Sequence, residues 1–388
     1  MAGALVTTNI LQTAVAMGLA SLRERIGLAN KVNRDYERDI QGARVGQTVA
    51  VAIPATIATR SVSPNVVPPA VTAVTPTSVN VTLDQWDEAA FAMDDKGLAQ
   101  VQRGIVPMQL SEAARALANK IDQYLFGLTH GANGFYGYVG TAGTTPFSSG
   151  DLEDYTLARQ QADAQLMPND PMANFVVLDT FAKAKALNTN AVQNAAWRGS
   201  SDAFRTGNIG EVLGAQWDYS QNVPLHTSGT ASGATTDATG YAAGLKTITL
   251  ASAGTGTILV GDIITFAGDT QTYVVTSGDA DVSGGGTVSF EPGLKSAIAA
   301  SATAITVKAS HRVNLLIHRD AIAFAMAPLM DSTITASRRG NVAIAVDNES
   351  GLALRLEVSD QYKQTQWAFD ALYGGAVIRR ELGVRIAG

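Results

Sequence analysis

Residues Arg44–Trp86 read "RVGQTVAVAIPATIATRSVSPNVVPPAVTAVTPTSVNVTLDQW". Val49, Val51 and Ile53 alternate with Thr48, Ala50 and Ala52, and Val79, Val81 and Leu83 alternate with Ser78, Asn80 and Thr82. A period of two marks a strand with one apolar face. Between the runs stand Pro54, Pro64, Pro68, Pro69 and Pro76, and Arg60 is the sole charged residue from Val45 to Leu83. Each leg of such a ribbon extends up to ~60 Å at ~3.3 Å per residue. A compact chain of this length has a radius of gyration of only ~21 Å. Exposed strand edges invite aggregation unless they are charged or covered. These are hardly charged, so another molecule is expected to cover them. A disordered Pro-rich linker is the weaker reading, because linkers do not keep alternation on both flanks.

The composition agrees with a covered surface. Apolar residues make up 46% of the 388 and charged residues 16%, where a quarter is usual. The net charge of −6 and the lack of a basic run argue against specific nucleic-acid recognition through phosphate contacts. Without cysteine there are neither disulfides nor thiolate metal sites. The opening "MAGALVTTNILQTAVAMGLASLRERIG" has polar interruptions and no basic residue before its apolar run. It therefore reads as neither a signal peptide nor a membrane span.

Periodicity places the other elements. Residues 7–26 fit an amphipathic helix with Ile10, Leu11, Ala14, Met17 and Leu22 near one face, followed by an irregular charged stretch. "DQWDEAAFAMDDKG" continues the ribbon's second strand, with Ala89, Phe91 and Met93 on one side. "MQLSEAARALANKIDQYLFGLTHGA" carries the clearest helical stripe, including Leu110, Leu117, Ile121 and Leu125, with Gly131 as its stop. A second helix starts at Asp151 with Leu152, Tyr155, Ala158, Ala162 and Leu166 as its stripe. "NFVVLD" reads as a buried strand and "TFAKAKAL" as a short helix. From 227 to 310 the chain becomes Gly/Ser/Thr-rich, with five short β runs about ten residues apart, the pattern of a small all-β barrel or sandwich. "HRVNLLIHRDAIAFAM" resumes the host, and "LALRLEVS", "TQWAFDALYGGAVIRR" and "GVRIAG" read as returning strands.

No enzyme constellation emerges. His130, His226, His311 and His318 fall in no HExxH or HxH motif, and free surface or loop histidines are expected. GxSxG, GxxxxGK[ST] and a helix-leading GxGxxG are missing. Asp84, Asp87, Glu88, Asp94 and Asp95 lack EF-hand spacing and read as a solvated face. Asp279 and Asp281 lie in a Gly/Ser loop where solvation outweighs catalysis. No catalytic, cofactor-binding or metal-ligating residues are assigned, and no cofactor is expected.

The order of parts resembles the major capsid (coat) protein of tailed bacteriophages, with the Johnson fold shared with herpesviruses. "VNVTLDQWDEAAFAMDD" followed by "AARALANKIDQYLFG" is similar to that family's ribbon strand feeding its spine helix. "GNIGEVLGAQWDYSQNVP" is similar to the segment closing its axial sheet, and "NLLIHRDAIAFAMAPL" and "ALYGGAVIRRELGVRI" are similar too. The β module, "GDIITFAG" above all, resembles the branch of short-tailed-phage coat proteins with an inserted β-barrel.

The resemblance implies an α+β chain. Its parts are an N-terminal arm (1–43), an extended β loop (44–97), a peripheral domain with the spine helix (98–170), an axial domain (171–226 and 311–350), an inserted barrel (227–310) and peripheral return strands (351–388). It implies a homo-oligomer of hexamers and pentamers forming an icosahedral virion shell around dsDNA, assembled in the host cytoplasm and expanding on maturation. A separate scaffolding protein, a portal protein and a possible decoration protein are the implied partners, with no membrane. Val49, Val51, Arg60, Val79 and Val81 are then expected at inter-subunit contacts of the loop. Leu110, Leu117, Ile121 and Leu125 are expected in the spine-helix core. Asp279 and Asp281 form an insertion-domain loop that either pairs with a basic neighbour or is simply solvated. Some relatives crosslink the loop through a lysine; with Lys31 and Lys96 outside the ribbon, no such link is expected here. The rival reading is a β-rich phage tail or adhesin protein.

Overall fold

The computed structural model describes residues 13–20, 22, 27–34, 48–53, 57, 59, 73–95, 105–194, 205–327, 342–346 and 352–388. In chain order the ribbon legs are β1 (Thr48–Ile53) and β2 (Thr77–Thr82), followed by β3 (Gln85–Asp94) and the long helix α1 (Ile105–His130). Next come β4 (Gly137–Gly140), α2 (Glu153–Ala164), β5 (Asn174–Leu178), α3 (Thr180–Leu187), β6 (Gly210–Val212), β7 (Ala215–Tyr219) and β8 (Leu225–His226). The inserted stretch holds β9 (Thr247–Thr249), β10 (Ile263–Phe266), β11 (Tyr273–Ser277), β12 (Thr287–Glu291) and β13 (Ile305–Val307). The host resumes with β14 (His311–His318), β15 (Ile322–Ala327), β16 (Val342–Val346), β17 (Ala353–Gln361), β18 (Gln364–Val377) and β19 (Gly383–Ala387). This is a mixed α+β chain.

Two host sheets share one core. The first runs β4-β19-β14-β5-β7-β6, with β8 added to β14; the second runs β15-β18-β17-β16, with β3 on β18. β3 pairs antiparallel with β18 over ten positions, from Gln85↔Tyr373 to Asp94↔Gln364. Its inward residues, Ala89, Phe91 and Met93 among them, are half-buried and alternate with exposed ones, and Phe91 stacks on Trp367 at 5.4 Å. Helix α1 packs on β3 and β18. Leu117, Ile121 and Leu125 are at most 2% exposed, because their three- and four-residue spacing keeps them on one stripe.

Sheet membership crosses two expected domain boundaries. β15 and β16, expected with the axial domain, pair in the sheet of β17 and β18, while β19, expected as a peripheral return, pairs with β14 and β4. The tight turns Arg319–Ala321 and Arg380–Leu382 carry the chain from one sheet to the other.

The arm is fixed to the body. Val15, Leu22, Leu28, Ala29 and Val32 lie in the main core. Of the expected stripe, Leu22 is buried and Ala14 half-buried, Met17 is 52% exposed while Val15 and Gly18 face inward, and Ile10 and Leu11 lie outside the described residues. A Cβ on Gly18 would stand 2.7 Å from the Phe369 ring, so only glycine admits this approach. Asp122 on α1 accepts the N–H groups of Gly27 and Leu28, each at 3.1 Å, satisfying donors at the start of a short 3₁₀ turn. Burial raises the Asp122 pKa, and those two N–H groups offset it only in part.

Helix α2 differs from its expected ends. Leu152 is the N-cap residue, and Asp151, one position earlier, accepts from Glu153 N at 3.1 Å. Leu166 adopts φ 61 and is 88% exposed, and Met167 takes the buried place. The left-handed turn after Ala164 swings the stripe's last position outward.

The inserted stretch forms its own sheet, β13-β10-β11-β12-β9, over a separate core of Ile248, Ile264, Phe266, Tyr273, Val275, Val288 and Phe290. Thr235 bridges Ala304 beside one edge and Thr236 bridges Leu250 beside the other. The host strands at its two ends pair with each other, His226↔His311 and Leu225↔Arg312, so the module hangs from a two-stranded neck.

Candidate assembly ribbon and insertion junction

The ribbon forms as its alternation requires. β1 and β2 pair antiparallel in unbroken register from Thr48↔Thr82 to Ile53↔Thr77. Its apolar face is seated on the chain's own body. Val51 (2% exposed) and Val81 (0%) cluster with Leu83, Ala323, Ala325, Ala327 and Leu372. Of the side chains expected at inter-subunit contacts, these two are covered by the sheet of β15 and β18 of the same chain. Val79 is half-buried. Val49 holds its place in the register, but its side chain, like all of Arg60, lies outside the described residues.

What the ribbon presents outward is Ala50, Ala52, Ser78 and Asn80, all exposed and uncharged. Farther along, Ile57 is 77% and Val74 49% exposed. The ribbon crosses the body at β18, where a Cβ on Gly374 would lie 1.9 Å from the Thr82 carbonyl oxygen. Beside it, Tyr124 of α1 donates its hydroxyl to Gly375 O at 3.3 Å and accepts from Gly375 N at 3.1 Å. The "GG" of "ALYGGAV" was the available sign of this crossing.

The second sheet is braced under the ribbon's exit. Arg355 and Asp370 are cross-strand partners, both buried. Arg355 Nε donates to Asp370 Oδ1 at 2.8 Å, and its Nη2 makes a close contact with Oδ2. Trp86, three residues past Leu83, donates Nε1–H to the same Oδ2 at 3.0 Å.

The insertion loop is internally committed. Asp281 is exposed and caps a 3₁₀ turn, accepting from Ser283 N at 3.1 Å and Ser283 Oγ at 2.6 Å, bonds that hold its pKa below the ordinary value. Asp279 accepts from Asp281 N at 2.9 Å, and its backbone bridges Ile258. The two carboxylates build one turn.

Three histidines expected as free surface groups converge at the neck instead. His311 is 0% and His226 5% exposed, and His130 ends α1. The ring centroids lie 5.8 Å apart for His130–His226 and 5.4 Å for His226–His311. His226 Nε2–H donates to Asp262 Oδ1 at 3.0 Å. Asp262, fully buried, also accepts from Leu259 N at 2.7 Å and Gly229 N at 3.0 Å. Arg385, fully buried on β19, donates Nη1–H to Gly261 O at 3.0 Å. Burial pushes His130 and His311 down to about 4 and Arg385 down to about 9. The fourth, His318, is also buried, in the body. The missed signal was positional: His226 and His311 flank the module they support.

Among the described residues no group of His, Asp or Glu is arranged to hold a metal ion, and no helix is long and apolar enough to cross a membrane. No protein-family model matches the sequence, and no curated protein matches it. Among solved structures the chain is similar to the capsid structure of the cyanophage P-SCSP1u, with a TM-score of 0.50 and 14% identity over 88% of this chain and 83% of that one. The fold is that of a phage capsid chain. The chain is also similar to a structure of Mycobacterium phage Che8 (TM-score 0.47, 17% identity, 92% of this chain and 90% of that one) and to the capsid of Ralstonia phage GP4 (0.46, 10%, 92% and 85%).

Proposed function

We propose that this chain is a major capsid protein that assembles, as hexamers and pentamers, into the icosahedral head shell around a phage dsDNA genome. The observation that carries the reading is the capsid fold combined with an uncharged two-stranded ribbon. In this reading the fold is of the Johnson type: α1 is the spine helix, the ribbon is the extended loop, and the 227–310 module is an inserted barrel. Scaffold-assisted assembly, a portal, expansion on maturation and residence in the virion belong to the same proposal. Inter-subunit grip comes from the ribbon beyond its base and from its outward face, since Val51 and Val81 are held within the chain. The two-stranded sheet has no third strand among the described residues, and a neighbouring copy supplies the cover its edges need. The net negative charge keeps packaged DNA from adhering to the wall. A tail or adhesin role is not favoured, because the fold is shared with a capsid chain.

Negative-stain microscopy of the purified protein, alone and with its scaffold, is the direct test: closed spherical particles support the proposal, and elongated trimers or fibres overturn it. Replacing residues 54–76 by a two-residue Asn-Gly turn, which suits a tight hairpin, should leave a folded subunit that forms no stable shells. Ala52→Lys, at an exposed position, should likewise leave the subunit's stability within about 0.5 kcal/mol and weaken assembly. Normal shells from both variants would remove the ribbon from the mechanism.

A further inference from the structure

The junction between the module and its host is polar, unlike either core. Its apolar part is small: Ile263 and Val274 of the module meet Tyr136, with Tyr138 at the margin. The rest is hydrogen bonds and charge. Thr272 Oγ1 donates to Tyr136 O at 2.6 Å and Arg385 Nη1 to Gly261 O at 3.0 Å. Gly261, at φ 88, presses so closely on α1 that a Cβ there would stand 2.1 Å from the His130 carbonyl oxygen.

The hydrogen bonds fix the protons. His130 Nδ1–H donates to Phe126 O and His311 Nδ1–H to Ala309 O, both at 2.9 Å. Nε2 of His311 is buried and has no hydrogen-bond partner. A second proton there would be a buried charged donor without an acceptor, which is strongly disfavoured. Asp262 offers little relief, because three N–H donors already occupy it. The remaining charged and titratable groups around the cluster come from every packed element. Arg385 stands on β19, Tyr138 on β4 and Tyr136 just before it. Lys308 lies over the Tyr138 ring at 5.8 Å. Glu381 acts on Tyr136, and Arg380 acts with Glu291 and donates to Asn133 at 2.6 Å. Arg385 is the buried cation nearest the imidazoles in effect, opposing the charging of both His130 and His311.

We propose that the junction of His130, His226 and His311 with Arg385 and Asp262 is an acid-sensitive latch: with His130 and His311 neutral the inserted module stays closed against the host, and protonation of these two releases it about the His226–His311 neck. The inference concerns the single chain and stands whether or not the chain forms shells. The sign follows from linkage. His130 and His311 fall from an ordinary 6.5 to about 4 in the closed junction, so the open form binds more protons between those values. Opening is favoured as pH drops through that window, and the latch is closed above it. Each proton taken up raises the open-to-closed ratio about ten-fold per pH unit.

The test is hydrogen exchange of the full chain at about pH 7 and about pH 5, corrected for intrinsic rates. Each of the two protons taken up over some 1.5 units below the histidine value contributes about 30-fold, so together they predict a loss of protection of up to about 1,000-fold at residues 261–263 and 272–274. The module strand Thr287–Glu291 and α1 residues 117–125 should keep theirs. In the His130→Asn/His311→Asn variant, where asparagine keeps the N–H donor and cannot charge, the loss should shrink to less than about two-fold. Should that variant fail to fold, His130→Asn alone, at the half-buried position, should move the opening to lower pH. An unchanged opening in the variants, no local loss in the wild type, or simultaneous loss across β12 and α1 would each overturn the latch.

Discussion

Removing the Asp370 carboxylate should destabilise the ribbon-bearing sheet far more than removing the whole ion pair. In Asp370→Ala the Arg355 guanidinium, about 10% exposed in its side chain, stays buried without its partner, and the Trp86 indole N–H loses its acceptor. Breaking one side of a buried pair costs about 3–5 kcal/mol. Glu357 Oε2, 3.9 Å from Arg355 Nη2, takes up part of the charge and places the expectation toward the lower end. For a host of roughly 300 residues, with an unfolding entropy of ~2.1 cal/mol/K per residue, about 3 kcal/mol corresponds to a fall in Tm of about 5 °C. The double variant Arg355→Met/Asp370→Leu removes both charges at similar volume and should lie within about 1.5 kcal/mol of the wild type. Urea titration followed by tryptophan fluorescence reads both, since Trp86 and Trp367 sit on this sheet. If Asp370→Ala costs less than about 1 kcal/mol, or the double variant is no more stable than the single, the pair is not the buried brace described above.

Gly374→Val should lift the ribbon from β18, because a Cβ there would meet the Thr82 carbonyl at 1.9 Å; increased protease cutting near residues 77–84 checks it. Asp122→Ala leaves the Gly27 and Leu28 N–H groups without their acceptor and should cost about 2–3 kcal/mol, with faster hydrogen exchange at residues 27–33. Leu125→Ala, at a fully buried position, should cost about 2–5 kcal/mol by thermal denaturation. Leu166→Ser, at 88% exposure, should change stability by no more than about 0.5 kcal/mol.

The elements most legible in the sequence are those whose pattern is local. The alternation of Val49–Ile53 and Val79–Leu83, the stripe from Leu110 to Leu128 and the five β runs of the module each appear as strand, helix or sheet where their periods place them. What escaped depends on contacts far apart in sequence. Gly18 outranks Met17 in the core because Phe369 lies opposite, and β19 joins the sheet of β4 and β14 across more than half the chain. The histidines looked like loop residues for the same reason. Their burial is created when the end of α1, both ends of the insertion and the last strand meet.

The ribbon's base and the module's neck divide stability from function in the same manner. At each, a small contact fastens a projecting element to a much larger core: Val51, Val81 and Leu83 under the ribbon, Tyr136, Ile263 and Val274 under the module. A two-stranded hairpin is marginal by itself, so the ribbon draws its order from Ala323, Ala325 and Leu372, and among the described residues no third strand joins either edge. The module has its own apolar core and meets the host through a small apolar junction and a few hydrogen bonds. The ribbon is therefore seated by apolar contacts that pH does not alter, whereas the module is held by imidazoles that acid can charge. Perturbations at the two places should separate accordingly: apolar-to-small changes at the ribbon base act at every pH, and changes at the neck act through protonation.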